Sequence, residues 1–342
     1  YFAWTAADGR RAFALVIDGI IYFGNDEALI DHAIAVRKGE SAAFDAKALH
    51  PAAADDLAYG YISPDGMAQL ANVLGVRLAA ESSEESEVRT AIAGVIPKLL
   101  RGAVTDVHWT AQKKDGGIED RWEINMPQDI AAVFAETMAP ADGSPDRAFA
   151  NMIPANARSA TRYNLKNPQA AWRSVVLTAE HLSDPFTARV FSEIGTALFE
   201  PYGIGDPEAF LSSVDAQIVT VSLGDSEQAA AIVKPAASGQ LKGLLPELDP
   251  TAKKPAGQEP SDVALQYSGD LAVIGEKDTV AACVAPGKKI EVADRPFPAK
   301  GSPISSIFTD EASVREIASF LGEEKTANPV KAFSRSETNF TK

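Results

Sequence analysis

Apolar and polar positions alternate through the first 24 residues and then change to a helical spacing. YFAWTA, RRAFALVI and IIYFG each read as a strand, and Asp8-Gly9 and Asp18-Gly19 separate them. Asp-Gly suits two-residue hairpin turns because both central residues need positive φ. Beyond Gly24, Leu29, Ile30, Ala33, Ile34 and Val36 form one stripe at helical spacing. Asn25 or Asp26 is placed to cap that helix and Gly39 to end it. The same phrase of hairpin, glycine and short helix returns at 263–287, VALQYSGDLAVIGEKDTVAACVAPG, with Gly275 set against Gly24.

A second phrase, strand then capped helix, occurs at 56–75, 157–176 and 302–322. Its caps are Ser63-Pro64-Asp65, Asn167-Pro168 and Asp310-Glu311. Each offers a side-chain oxygen to the free N–H groups of the first turn, and proline fits that turn without losing a bond. A short helix is expected near 43–49. The acidic stretch 81–89 leads into a helix ending near Leu100. VTDVHWTAQ and IEDRWEINM form a hairpin around Lys114–Gly117, and Pro127-Gln128-Asp129 opens a helix. Further along come a helix ending near His181, another over 186–199, a strand DAQIVTVSLG and a helix DSEQAAAIVK. Residues 234–262, with Pro235, Pro246, Pro250, Pro255 and Pro260, read as a long surface excursion, and 286–303 as a second.

This repetition predicts an α+β fold: repeated modules of antiparallel sheet with amphipathic helices packed on one face. The loop 139–147, APADGSPDR, sets the expected boundary. Residues 1–145 hold the N-terminal meander and a strand–helix–hairpin unit, and 146–342 hold a second module region with the Pro-rich excursion 234–262. The chain opens on the tail of a unit and closes on the head of another. The meander and the final strand–helix (303–336) are therefore expected to be neighbours in one module.

Composition narrows the function. The 342 residues carry a net charge of −15. That opposes a nucleic-acid surface, which needs clustered Lys and Arg, and adhesion to anionic lipid. The single cysteine, Cys283, lies in the apolar run VAACVA and reads as a small core hydrophobe. One cysteine rules out an intrachain disulfide and a thiolate metal cluster. No apolar run of the length a membrane helix needs, about 18 residues, is present. The first residue is Tyr1, within a strand pattern, and an export or anchor segment upstream of it is expected.

Candidate chemistry is sparse. Gly224-Asp225-Ser226 resembles the serine block of GDSL-type hydrolases. That family carries its histidine base downstream, whereas His32, His50, His108 and His181 all precede Ser226. Asp225 or Ser226 is read instead as a helix cap. Gly275-Glu276-Lys277 has the look of a phosphate loop, but its spacing is wrong and Glu276 would repel a phosphate. It reads as a hairpin edge followed by a cap. The histidines are scattered, with no ligand partner two to four residues further on. Asp55-Asp56 and Glu81, Glu84, Glu85 and Glu87 lack the spacing of a calcium loop. Trp4, Trp109, Trp122 and Trp172 read as core residues, with Trp109 and Trp122 the candidates for a partner surface.

The segments IPANARSATRYNLKNPQAAWRSVV, LFEPYGIGDPEAFLSSVDAQIVTVSL and ALQYSGDLAVIGEKDTVAACVA together resemble a family of uncharacterised bacterial envelope proteins. That family is marked by lines of the type LPADT-x-x-Y…dP-x-AW and LVVGd-x-x-aV. The resemblance covers roughly 55–310, and DDLAYGYISPDGM matches the first line without its leading Leu-Pro. It implies an extracytoplasmic location and transfers no catalytic residue. The expectation is a non-enzymatic extracytoplasmic protein, with no cofactor, that binds or scaffolds a protein partner or ligand. Two alternatives stand beside it. One is an accessory subunit docked on the outer side of a respiratory or photosynthetic membrane complex. The other is a hydrolase with a site assembled from distant residues.

Overall fold

The computed structural model describes residues 2–5, 9, 11–41, 56–82, 86–114, 117–142, 147–224, 228–237, 241, 244, 262–290, 297, 302–308 and 334–341. Contacts divide the chain into Tyr1–Pro51 and Ala52–Lys342.

In the first unit, β1 (Phe2–Thr5), β2 (Arg11–Ile17) and β3 (Ile20–Gly24) pair antiparallel in that order. Asp18 (φ 51°) and Gly19 (φ 78°) take the positive φ that the Asp-Gly turn predicts. α1 (Glu27–Arg37) starts at Asp26, whose carboxylate accepts the Ala28 N–H at 2.9 Å. Arg37 ties its far end to the hairpin, donating to the Ile17 carbonyl at 3.1 Å and to Asp18 at 2.6 Å. Phe13 and Ile30 are buried. The register gathers Phe2, Trp4, Val16, Ile21 and Phe23 on the opposite face, where all are exposed.

The second unit runs β4 (Asp56–Ile62), α2 (Pro64–Ser82), α3 (Ser86–Ala103), β5 (Asp106–Lys114), β6 (Gly117–Asn125), α4 (Gln128–Thr137) and the single turn α5 (Arg147–Ala150). It continues with β7 (Ser159–Asn164), α6 (Pro168–Leu182), α7 (Pro185–Ala197), α8 (Pro207–Ser212), β8 (Val214–Ser222) and β9 (Ala229–Pro235). β10 (Val263–Ser268), β11 (Leu271–Glu276), α9 (Lys277–Val284), β12 (Ile304–Phe308) and β13 (Ser334–Thr341) complete it. These strands form one ten-stranded sheet, ordered β10-β11-β9-β8-β7-β12-β13-β6-β5-β4. Every neighbouring pair is antiparallel except β13 with β6. The fold is thus α+β, and a strand, a run of helices and a hairpin occur as β4–β6, with two α-helices, and again as β7–β9, with three.

Both faces of β8, β9 and β11 are buried. On one, Val219, Ile232, Val273 and Ile307 meet Val280 and Cys283 of α9. On the other, Ile218, Ala231, Val233 and Ile274 meet Ile204 and the α8 residues Phe210 and Leu211. Each such side chain contributes about 1.5–3 kcal/mol before ordering entropy is subtracted.

Two expectations are corrected. DSEQAAAIVK is not a helix: Ala229–Pro235 is strand β9, held between β8 and β11. Its run Ala229–Val233 is buried throughout, and a short apolar run suits a two-sided central strand as well as a buried helix. Asp225 and Ser226, expected to cap that helix, lie outside the described residues. The meander and β12 lie in separate sheets, because β12 has both edges occupied, by β7 and β13. Contacts divide the chain after Pro51, and the ten-stranded sheet draws strands from both 1–145 and 146–342. The helices expected near 43–49 and after Asp310 lie outside the described residues, as does most of 234–262.

Candidate functional site

A cavity of about 410 Å³ lies between α6, the segment Leu198–Ile204 that follows α7, α8 and the sheet. Local chemistry sets its walls. Asn167 caps α6 through the Ala170 N–H at 2.9 Å, with Pro168 in the first turn, and the helix then turns Ala171, Trp172 and Val175 to the cavity. Asp206 caps α8 through the Ala209 N–H at 3.0 Å, again ahead of a proline, and Phe210 and Leu211 face inward. Between α7 and α8 a 3-10 turn, Glu200–Tyr202, ends on Gly203 at φ 70°. It supplies Tyr202. The floor is a row of directly paired residues, Ile304 on β12, Tyr163 on β7 and Ile218 on β8.

Gly195 on α7 lets the Trp172 indole approach. A Cβ there would stand 2.9 Å from its Cη2. The ring also meets Phe199 edge-on, with centroids 5.2 Å apart. The polar side-chain groups of the lining are the hydroxyls of Tyr163, Tyr202 and Thr220 and the indole N–H of Trp172, and among the described residues no charged side chain belongs to it. Burial pushes both tyrosines above their ordinary values, and the Tyr202–Thr220 hydrogen bond opposes this only in part. Both are neutral at physiological pH. The cavity therefore offers apolar surface and neutral hydrogen-bonding hydroxyls.

A second cavity, about 540 Å³, also has Trp172 in its lining. Arg173, Glu180, Asp206 and Glu208 line it together with Ser192 and Thr196. Arg173 Nε donates to Glu208 at 2.6 Å, and the Gln169 amide reaches the same oxygen at 3.4 Å.

The tryptophans singled out from sequence lie elsewhere. Trp109 and Trp122 are directly opposed on β5 and β6, with ring centroids 6.0 Å apart. Both donate their indole N–H to one oxygen of Asp120, at 2.9 and 3.0 Å. Both are half-buried, and neither borders the two cavities. Gly275-Glu276-Lys277 is a hairpin edge and cap: Glu276 accepts the N–H groups of Asp278 and Thr279, each at 2.8 Å. Cys283 is buried, and its thiol is pushed up to about 11 by burial, with Lys289 opposing.

One polar chain escapes a reading of motifs. His108 is buried between Asp106, 3.2 Å from Nε2, and Tyr59, whose hydroxyl is 2.7 Å from Nδ1. Asn125 in turn donates to Asp106 at 2.5 Å. The signal was the two-residue spacing of Asp106 and His108, which puts both on one side of a strand. Among the described residues no group of three or more His, Cys, Asp or Glu side chains gathers as a metal site. No family model, curated protein or solved structure matches the chain.

Proposed function

We propose that the chain is a non-catalytic binding protein whose ligand is a neutral apolar molecule or chain held against Trp172, Tyr163 and Ile218. The single observation that carries this is a cavity of about 410 Å³ with an apolar lining. Its size falls in the range of small-molecule sites, about 300–1,000 Å³. Apolar cavities hold water poorly and take apolar guests. The reading includes the extracytoplasmic location implied by the resemblance of residues 55–310. No helix among the described residues is long and apolar enough to cross a membrane.

The test is titration of the purified protein with Nile red, an uncharged apolar fluorophore. Saturable single-site binding is expected, and Ala171→Leu, which adds bulk at the lining, should weaken it at least several-fold. A folded protein that shows no saturable uptake removes the proposal.

A second reading, docking to another protein, is favoured by the first unit. Phe2, Trp4, Val16, Ile21 and Phe23 share one exposed face. Among the described residues β3 has one sheet neighbour, β2. In the second copy of the phrase the equivalent strand β11 carries β9 on that edge, and its face is covered. The occupant we propose is a second copy of the chain, β3 against β3. Sedimentation should show a dimer at salt high enough to screen the net charge. Phe23→Lys should return it to monomer. A chain that stays monomeric at every concentration sinks this reading.

A further inference from the structure

We infer that the ligand of the apolar cavity carries one neutral oxygen acceptor, a ketone or ester carbonyl, that takes a hydrogen bond from the Tyr163 hydroxyl. The inference rests on the reading of that cavity as a ligand site and adds the chemical class of the molecule. Tyr163 stands on β7 between Ile304 and Ile218, its directly paired neighbours on the cavity floor. Side chains rise roughly perpendicular to a sheet, so the phenol oxygen is carried a ring's length above those apolar neighbours. Among the described residues nothing is hydrogen-bonded to it. The other phenol of the lining differs, since Tyr202 is already joined to Thr220. A hydroxyl drawn out of water without a partner costs free energy, and a ligand that supplies the partner recovers it.

The kind of partner follows from what the lining offers. Burial, and then the nearby Tyr202, push the Tyr163 hydroxyl above its ordinary value, so it keeps its proton and can donate. The Trp172 indole, also in the lining, donates and cannot accept. A carbonyl oxygen accepts through two lone pairs and brings no hydrogen of its own. An alcohol brings a hydrogen that also needs an acceptor. A carboxylate brings a charge, and among the described residues no cationic side chain lines the cavity to offset its desolvation. A plain hydrocarbon leaves the Tyr163 hydroxyl without a partner.

The test displaces Nile red with butylbenzene, butyrophenone and 4-phenylbutanoate, which share a phenyl ring and a four-carbon chain. Wild type and Tyr163→Phe are titrated at neutral pH, with circular dichroism to check that both are folded. The ratio of ketone to hydrocarbon affinity should fall about 3–10-fold in the variant, the size of one hydrogen bond. The carboxylate should bind most weakly to both proteins. The infrared carbonyl stretch of butyrophenone bound to wild type should lie below its position in a hydrocarbon solvent, and Tyr163→Phe should move it back. An unchanged affinity ratio, or tightest binding of the carboxylate, overturns the inference while the apolar site stands. Should the variant not fold, the wild-type stretch decides alone, and a stretch at the hydrocarbon position overturns the inference. Failure of Nile red itself to bind removes the site, and the inference with it.

Discussion

Gly275 holds φ 148°, a conformation that L side chains rarely adopt, and a Cβ there would lie 2.3 Å from the Ala229 carbonyl oxygen. The close approach arises because β11 is paired to β9 on that side. Gly24 occupies the same place in the first copy of the phrase, yet its nearest neighbours to a Cβ are 3.8 Å away. One glycine is obligatory and the other is tolerated. Gly275→Ala should therefore cost about 1–3 kcal/mol from backbone strain alone, more with the clash. Gly24→Ala should be neutral or stabilise by about 0.4–1 kcal/mol through the unfolded chain. Thermal and denaturant unfolding of the two variants measures the difference. A Gly275→Ala protein as stable as wild type would show that β11 can leave β9 without loss.

At the scale of elements, α7 is the wall that positions Gly195 against Trp172, and its start is fixed by Asp184. That carboxylate accepts the Thr187 N–H at 3.0 Å, the Thr187 hydroxyl at 2.8 Å and the Lys98 ammonium at 3.0 Å. The Thr187 backbone bond, then Lys98, then the Thr187 hydroxyl hold it well below the usual carboxylate range. A depressed value stabilises the ionised, folded form. The contribution is present above the unfolded carboxyl's value, about 3.9, and is lost as pH falls through the folded one. Asp184→Asn should lower Tm at neutral pH and flatten the loss of stability on acidification below about pH 4. Tm measured from neutral to strongly acid pH in both proteins checks this. Parallel curves would mean that α7 does not depend on its cap.

Across the whole molecule, stability is concentrated in the second unit. Its core clusters bury residues from both faces of β8, β9 and β11. In the first unit, Phe13 and Ile30 are the buried apolar residues among those described. Hydrogen exchange should therefore be slowest in β8, β9 and β11 and far faster in β1–β3. Equal protection of β3 and β9 would contradict this distribution. The contrast between the two phrases has the same root. Ile21 and Phe23 are 69% and 67% exposed, whereas Ala272 and Ile274 at the equivalent positions are wholly buried.

Turns and caps were legible because they are contacts between near neighbours in the chain. Asp18-Gly19, Asn167-Pro168 and the start of α9 at Glu276 all formed as their local chemistry predicted. β9 was not legible, since burial on both faces erases the alternation that marks a half-exposed strand. The cavity was not legible either. Its lining joins Tyr163, Trp172, Phe210, Ile218 and Ile304, which no spacing rule connects. The Asp106–His108 pair could have been found from strand period, but Tyr59 reaches it from another strand.

The sequence by itself determined the α+β class, the repeated hairpin–helix and strand–helix phrases and the acidic balance. It did so because backbone preference and side-chain capping act over a few residues. Tertiary structure alone decided that β13 lies beside β6, that an alanine-rich run becomes the strand between β8 and β11, and that a void remains beneath α6 and α8. Strand partners and empty space depend on which distant surfaces meet, and that is settled by packing across the chain, not along it.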